Sequence, residues 1–416
     1  MENKTLTLET KECLALDLGR SYLEYHEIDD VCVKTFPDEA LNAMTAFKNV
    51  MNGDVYDPGI ENKGFSNHVG WLEPVKETLK PSSEEVQSVL KTAEKIHKES
   101  DVLAVVASGA AYLSCKAGLD FFSSSKASGS PEILLFGSGT DSIEKLKDRK
   151  VSLCVIEDGE LSSEARKAFD AIKPMLKGKS YVFTNNNKGA LTKEDAELFS
   201  MSEKFTGPAI ILSSAVLLPL AVAGIDINEL LESAELEPNE DMESFVPSGC
   251  AGAGATRELF IPLSSLNIKN YSAGRHLFKT KDFGLEVFVY ADDRLRGFAE
   301  WLKYLYMLSS ANQMLNVETA NLFENKDTVL DYVNVHGKTF FETFLNMGNL
   351  ASAARADADL ADKVIAGNAL LLDTMQKQRK SGVPIMRVEI KDATPYFYGQ
   401  MISLFSRAAA IMSIWK

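Results

Sequence analysis

From Pro81 onward the chain alternates two hydrophobic rhythms. Ser82-Ser83-Glu84-Glu85 has the serine-plus-acid composition of a helix start, and Val86, Val89, Leu90, Ala93 and Ile96 follow at helical spacing. Asp101 then opens an unbroken apolar run, Val102 to Val106, which ends in Ala107-Ser108-Gly109-Ala110-Ala111 before a helical pattern from Tyr112 to Phe122. A continuous apolar run that feeds small residues and then a helix reads as a parallel strand buried on both faces. The unit recurs. Strand patterns at 132–136, 151–156 and 180–184 are followed by predicted helices at 142–146, 162–176 and 191–199. Such alternation predicts right-handed crossovers and a doubly wound parallel sheet with helices on both faces. The predicted domain spans 81–232, closed by the capping-box pattern Asp226-Ile-Asn-Glu229 at the head of a helix over 229–234.

The flanks read differently. Residues 1–80 mix short elements with turn signals such as Asp57-Pro58-Gly59 and Asn62-Lys63-Gly64, and 235–255 is linker-like. Beyond it the pattern predicts a strand at 284–290, a helix at 295–308 and an extended piece at 328–335. A helix at 357–378, a strand at 383–390 and a closing helix at 396–415 follow. Residues 1–80 and 233–416 together are expected to form a larger, mixed second domain, so the fold class is α/β. The longest apolar stretch, 208–224, is broken by Ser213, Ser214 and Pro219 and is too short to span a bilayer; it reads as a buried core helix.

Composition narrows the function. The 416 residues are 45% hydrophobic, enough for a sizeable core, and the net charge is -15. That charge repels a phosphate polyanion, and no local basic face offsets it, so neither nucleic acid nor membrane is an expected partner. The cysteines at 13, 32, 115, 154 and 250 are scattered, with no C-x-x-C pair. They read as reduced thiols without disulfide framework or metal site, and with no signal-peptide pattern after Met1 a cytoplasmic location is expected.

Ligands of open parallel sheets bind beyond the carboxyl ends of strands, where small residues let backbone N–H groups approach an anion. Two loops hold that position. Ala107 to Ala111 offers room and the Ser108 hydroxyl beside Gly109. Glu157 to Ser163 sets Glu157, Asp158 and Glu160 ahead of Ser162 and Ser163. The acidic run reads first as a solvated loop and second as a site for a divalent cation or an amine. Trp301, Tyr304 and Tyr306 read as core or subunit-interface aromatics, and Asn185-Asn-Asn-Lys-Gly as a turn without chemistry.

Several ordered segments resemble the phosphoglucose isomerase (glucose-6-phosphate isomerase) family of the sugar-isomerase, or SIS, superfamily. Gly64 to Leu72 is similar to the family's G-x-x-x-F-x-G-W-L, and Asp101 to Leu113 to its D-V-L-V-V-I-G-I-G-G-S-Y-L. Ala215 to Ile227 is similar to A-V-G-L-L-P-I-A-V-A-G-I-D-I, and Phe298 to Leu305 to F-x-E-W-x-K-Q-L. Phe341 to Asn346 and Gly382 to Ile390 continue the likeness. The resemblance implies an SIS-type sheet domain, no cofactor, a homodimer, and a sugar or sugar phosphate as the small-molecule partner.

The family's reaction needs a hydroxyl cradle for phosphate, a Glu that moves a proton between C1 and C2, an Arg that steadies the enediolate, and His and Lys that open the ring. Carried over, the cradle's first serine falls on Ala111. Its second loop falls on Glu157 to Glu164, where Ser162, Ser163 and Glu164 survive. The Arg falls on Pro208, the base on His336 (or Val335), the His on Gln378, and the final Lys beyond Lys416. The ligand-binding residues that the resemblance leaves are Ser108, Gly109, Ser162, Ser163 and Glu164, with Glu157 and Asp158, and His336 is the candidate base. Two unit charges ~5 Å apart at an effective dielectric of ~20 interact by about 3 kcal/mol. Inward carboxylates at 157–160 would therefore cancel the ~4–8 kcal/mol of a typical sugar-phosphate complex. The expectation is an isomerase relative of degenerate chemistry. The alternatives are a working glucose 6-phosphate–fructose 6-phosphate isomerase and a module for a non-phosphorylated or cationic sugar derivative.

Overall fold

The computed structural model describes residues 15–17, 79–125, 129–137, 143–185, 196–202, 204–235, 284–309, 316–324, 340–347, 358–380, 383, 385–390 and 392–414. Two five-stranded sheets organise them. The first contains β2 (Val102–Val106), β3 (Glu132–Phe136), β4 (Val151–Glu157), β5 (Ser180–Thr184) and β6 (Glu197–Ser200), in the order β3-β2-β4-β5-β6 and parallel throughout. Its central strands are buried on both faces, which is why they read as unbroken apolar runs rather than alternation. The second sheet contains β1 (Ala15–Asp17), β7 (Leu285–Tyr290), β8 (Asn316–Asn321), β9 (Phe340–Met347) and β10 (Ile385–Ile390), in the order β1-β10-β9-β7-β8. Only the β1–β10 pair is antiparallel, so this sheet is mixed.

The helices fill the space around and between the sheets. α1 (Glu84–Glu99) starts where the sequence places it. Ser83 Oγ accepts from the Val86 N–H at 3.2 Å, and Val86, Val89, Ala93 and Ile96 are buried. α2 (Gly109–Phe121) follows β2, α3 (Ser163–Ile172) follows β4, and α4 (Ser214–Val222) and α5 (Ile227–Glu235) follow β6. Asp226 caps α5, its Oδ1 accepting from the N–H groups of Asn228 and Glu229. α6 (Arg296–Ser309), α7 (Ala358–Lys380) and α8 (Pro395–Ile414) belong to the second half.

One apolar core runs from the inner face of the first sheet (Leu103, Val105, Cys154, Ile156, Phe183) through α2, α6 and α8 to the inner face of the second (Phe288, Tyr290, Phe341, Leu345, Val388). Phe121, Phe298, Tyr398 and Phe405 join the halves, with ring centroids 4.9 Å apart for Phe121–Tyr398 and 5.8 Å for Phe298–Phe405. α3 covers the outer face of the first sheet and α7 that of the second.

Some sequence expectations change. The helix expected at 191–199 is instead, over its described end, the edge strand β6. Phe199 stacks on Phe183 at 4.6 Å, and a ladder on β5 outweighs the weak helical spacing of a short, mostly exposed segment. The helix expected at 142–146 is a 3-10 turn, Ile143–Leu146. The apolar stretch 208–224 divides into a 3-10 turn, Gly207–Leu212, and the wholly buried α4, because Ser213 is extended between them. Strands β8 and β9 carry polar residues at buried positions, and periodicity alone did not mark them. The extended piece expected at 328–335 lies outside the described residues. No described helix is long and apolar enough to cross a membrane.

Candidate functional site

The order β3-β2-β4 fixes where a ligand can sit. After β2 the chain runs through α2 to β3 on one side, then crosses to β4 on the other, so the carboxyl ends of β2 and β4 flank a topological switch point. Ser108 closes β2 and Ser162 stands one residue before α3, so both loops singled out in the sequence meet there. They touch: the Ser162 N–H donates to Ser108 Oγ at 3.3 Å.

The two hydroxyls do different work. Ser162 caps its own helix, its Oγ accepting from the Ala165 N–H at 3.2 Å. Ser108, the N-cap of α2, makes no side-chain bond to its own helix. The first-turn N–H groups of Gly109, Ala110 and Ala111 have no intrahelical acceptor, so the positive end of α2 stays uncapped by its serine. Gly109 has φ +55°, a left-handed conformation that glycine adopts without strain, and the space around it is open. Ser163 is exposed, and its hydroxyl donates to Glu164 Oε1 at 2.9 Å. Glu164's own N–H and the Ser163 hydroxyl hold its carboxyl below the usual range.

The three carboxylates of the acidic loop take three different places. Glu157 ends β4 and is 4% exposed. Burial pushes its pKa up, while the Thr184 hydroxyl and the Arg166 charge pull it back. Its Oε2 has no hydrogen-bond partner among the described residues. Asp158 is half-buried and acts as a buckle: Oδ1 accepts from Asn185 Nδ2 at 3.0 Å and Oδ2 from the Gly207 N–H at 3.1 Å. Burial raises its pKa against the pull of those two donors. Glu160 is exposed, and Gly159 makes the turn between them at φ +81°. The loop is thus not a solvated acidic run throughout, for two of its carboxylates are drawn into the protein.

One residue that the sequence left without chemistry, Asn185, belongs to this rim. Asn185 closes the buckle just after β5, and its Oδ1 accepts from the Gly159 N–H at 3.4 Å. Tyr304 on α6 is half-buried, and its pKa is raised by burial and, further, by the charge of Asp158. Trp301, one turn earlier, donates from Nε1 to the Pro208 carbonyl at 3.1 Å. Trp301 and Tyr306 are core residues, as expected, and Tyr304 is partly buried against the same core.

Ala111 and Pro208 are buried without polar side chains at the positions carried over for the cradle serine and the arginine. Gln378 lies on α7, where its Nε2 donates to Glu342 Oε1 on β9 at 2.9 Å. His336 and Val335 lie outside the described residues, so the candidate base is not placed. Among the described residues no group of three or more His, Cys, Asp or Glu is arranged to hold a metal ion.

No family model matches the chain. A glucose-6-phosphate isomerase of Caldanaerobacter subterraneus subsp. tengcongensis is 27% identical over 390 residues, covering 84% of this chain and 81% of its own. A hypothetical protein from Thermus thermophilus is similar in structure at TM-score 0.66 and 16% identity, covering 97% of this chain and 94% of its own. A glucose-6-phosphate isomerase from Chlamydia trachomatis gives TM-score 0.62 at 11% identity, over 97% and 84%. The structural likenesses show the SIS-type fold, and the sequence likeness runs along most of the chain.

Proposed function

We propose, on the premise that the chain is a sequence relative of the glucose-6-phosphate isomerases, that it binds a sugar phosphate at the β2–β4 switch point but does not isomerise it as those enzymes do. The phosphate would lie against the α2 amides and the Ser108 hydroxyl, where the helix end supplies positive potential. Ser162 caps α3, Ser163 serves Glu164, and the inward Glu157 and Asp158 carboxylates weaken the site relative to the family's. One observation carries the loss of chemistry. On the correspondence carried over from the family, Pro208 takes the place of the enediolate-stabilising arginine, and its carbonyl accepts from Trp301. The neighbouring Gly207 N–H, a further donor at that place, is consumed by Asp158. An enediolate formed here would meet no guanidinium at that position, and the Arg166 charge already acts on Glu157, which weakens the electrostatic stabilisation that usually dominates such a barrier.

Inorganic phosphate and fructose 6-phosphate are expected to raise the melting temperature in a thermal-shift titration, by the ordinary linkage of a ligand that binds only the folded state. In a coupled assay, glucose 6-phosphate–fructose 6-phosphate turnover is expected to fall about 10⁴-fold or more below an active relative. Turnover near that of the relative would establish the working isomerase instead. No stabilisation by either anion would mean that the sugar-phosphate site is lost. A homodimer in the cytoplasm remains part of this reading, and sedimentation of the purified chain at micromolar concentration tests the dimer.

A further inference from the structure

We infer that Asp158 is a built-in competitor at the anion site: its carboxylate is seated on donors that a bound oxyanion would otherwise use, and it holds the site in a weakened state. The inference rests on the phosphate reading of the switch-point rim and adds what limits the affinity there.

Asp158 is held by two segments outside its own loop. Oδ1 accepts from Asn185 Nδ2 at 3.0 Å, just after β5. Oδ2 accepts from the Gly207 N–H at 3.1 Å, at the head of the turn that leads to α4. Both donors are neutral, and among the described residues no cation pairs with this carboxylate. A backbone N–H and a side-chain amide that converge on one anionic group do not distinguish a carboxylate oxygen from a phosphate oxygen. The protein has thus assembled an oxyanion seat and filled it with its own side chain.

The seat borders the rim already described. The turn Gly207–Leu212 packs against α2, and the loop that carries Asp158 also carries Ser162, whose N–H meets Ser108 Oγ. Gly207 takes φ +56°, which glycine adopts without strain, and the space where a Cβ would stand is open. An external anion therefore has two routes, and Asp158 opposes both. To take the Gly207 and Asn185 donors it must displace the carboxylate, and to bind beside them it must approach a like charge in half-buried surroundings. The competitor is part of the chain, so it is never diluted away. Release of this contact raises the affinity of the rim for oxyanions.

The full chain is titrated with inorganic phosphate at fixed ionic strength, with calorimetry and thermal shift as readouts. The wild type is compared with Asp158→Ala, Asp158→Asn and Glu160→Ala. Asp158→Ala is expected to half-saturate at a phosphate concentration about tenfold or more below the wild type. Asp158→Asn loses the charge but keeps an oxygen for the Gly207 N–H; it should gain about threefold, and it serves if the alanine variant does not fold. Glu160→Ala removes an exposed charge from the same loop and should shift half-saturation by less than about twofold. A residue that only shapes the loop would lose affinity on replacement, so a gain separates the two roles. Asp158 variants that bind phosphate no tighter than a binding wild type overturn the inference alone, as does an equal gain from Glu160→Ala. Binding by the Asp158 variants with none by the wild type upholds the inference and overturns phosphate binding by the native chain. No response from any of the four chains overturns both.

Discussion

Glu342 shows how much one buried group can set. It sits wholly inside the protein between β9 and α7, with Oε1 accepting from Gln378 and Oε2 unpartnered among the described residues. Burial pushes its pKa up to about 8, far above an ordinary glutamate. The folded protein therefore keeps a proton that the unfolded chain releases. The resulting stability is fully present below the ordinary glutamate range and is lost as pH rises toward 8, with a slope of up to about 1.4 kcal/mol per pH unit. Glu342→Gln is expected to raise the melting temperature most near pH 8 and little near pH 5, as melts across that range would record. A variant less stable than the wild type at high pH would contradict the assignment. At the rim, Ser162→Ala removes the α3 cap and should cost about 1 kcal/mol in denaturant unfolding. The sequence marked Ser108, Ser162 and the acidic loop because their residue types are unusual after a strand. It passed over Asn185 because an Asn in a turn is common, and only its contacts with Asp158 and Gly159 distinguish it.

Among the elements, two helix crossings depend on glycine. A Cβ at Gly297 would lie 2.7 Å from the Lys116 carbonyl and 2.8 Å from the Ala117 nitrogen, so α6 meets α2 backbone to backbone. A Cβ at Gly399 would lie 2.3 Å from the Leu230 carbonyl, where α8 crosses α5. Gly297→Ala must separate α6 from α2 and is expected to destabilise by about 1–3 kcal/mol in chemical denaturation, against the usual small gain for alanine in a helix. An unchanged or higher midpoint would show that the crossing can relax. Strands buried on both faces and long amphipathic helices were legible at this scale. The edge strand β6 and the polar-containing β8 and β9 were not, because their identity rests on ladder partners remote in the chain.

For the whole molecule, the continuous core linking the sheets predicts joint unfolding. Trp301 is buried within that core, so its fluorescence and the far-UV circular dichroism should report one coincident thermal transition. Two separated transitions would instead show that 81–232 folds as a domain independent of its flanks. By itself the sequence determined the fold class, the strands β2 to β5 of the first sheet and the loops that end β2 and β4, because hydrophobic period and turn chemistry are local properties. The tertiary structure alone decided that β2 and β4 are neighbours, that Asp158 turns to Gly207 and Asn185, and that Trp301 on α6 reaches the Pro208 carbonyl. Those facts depend on strand order and helix crossing, which join residues far apart in the chain and leave no periodic trace in it.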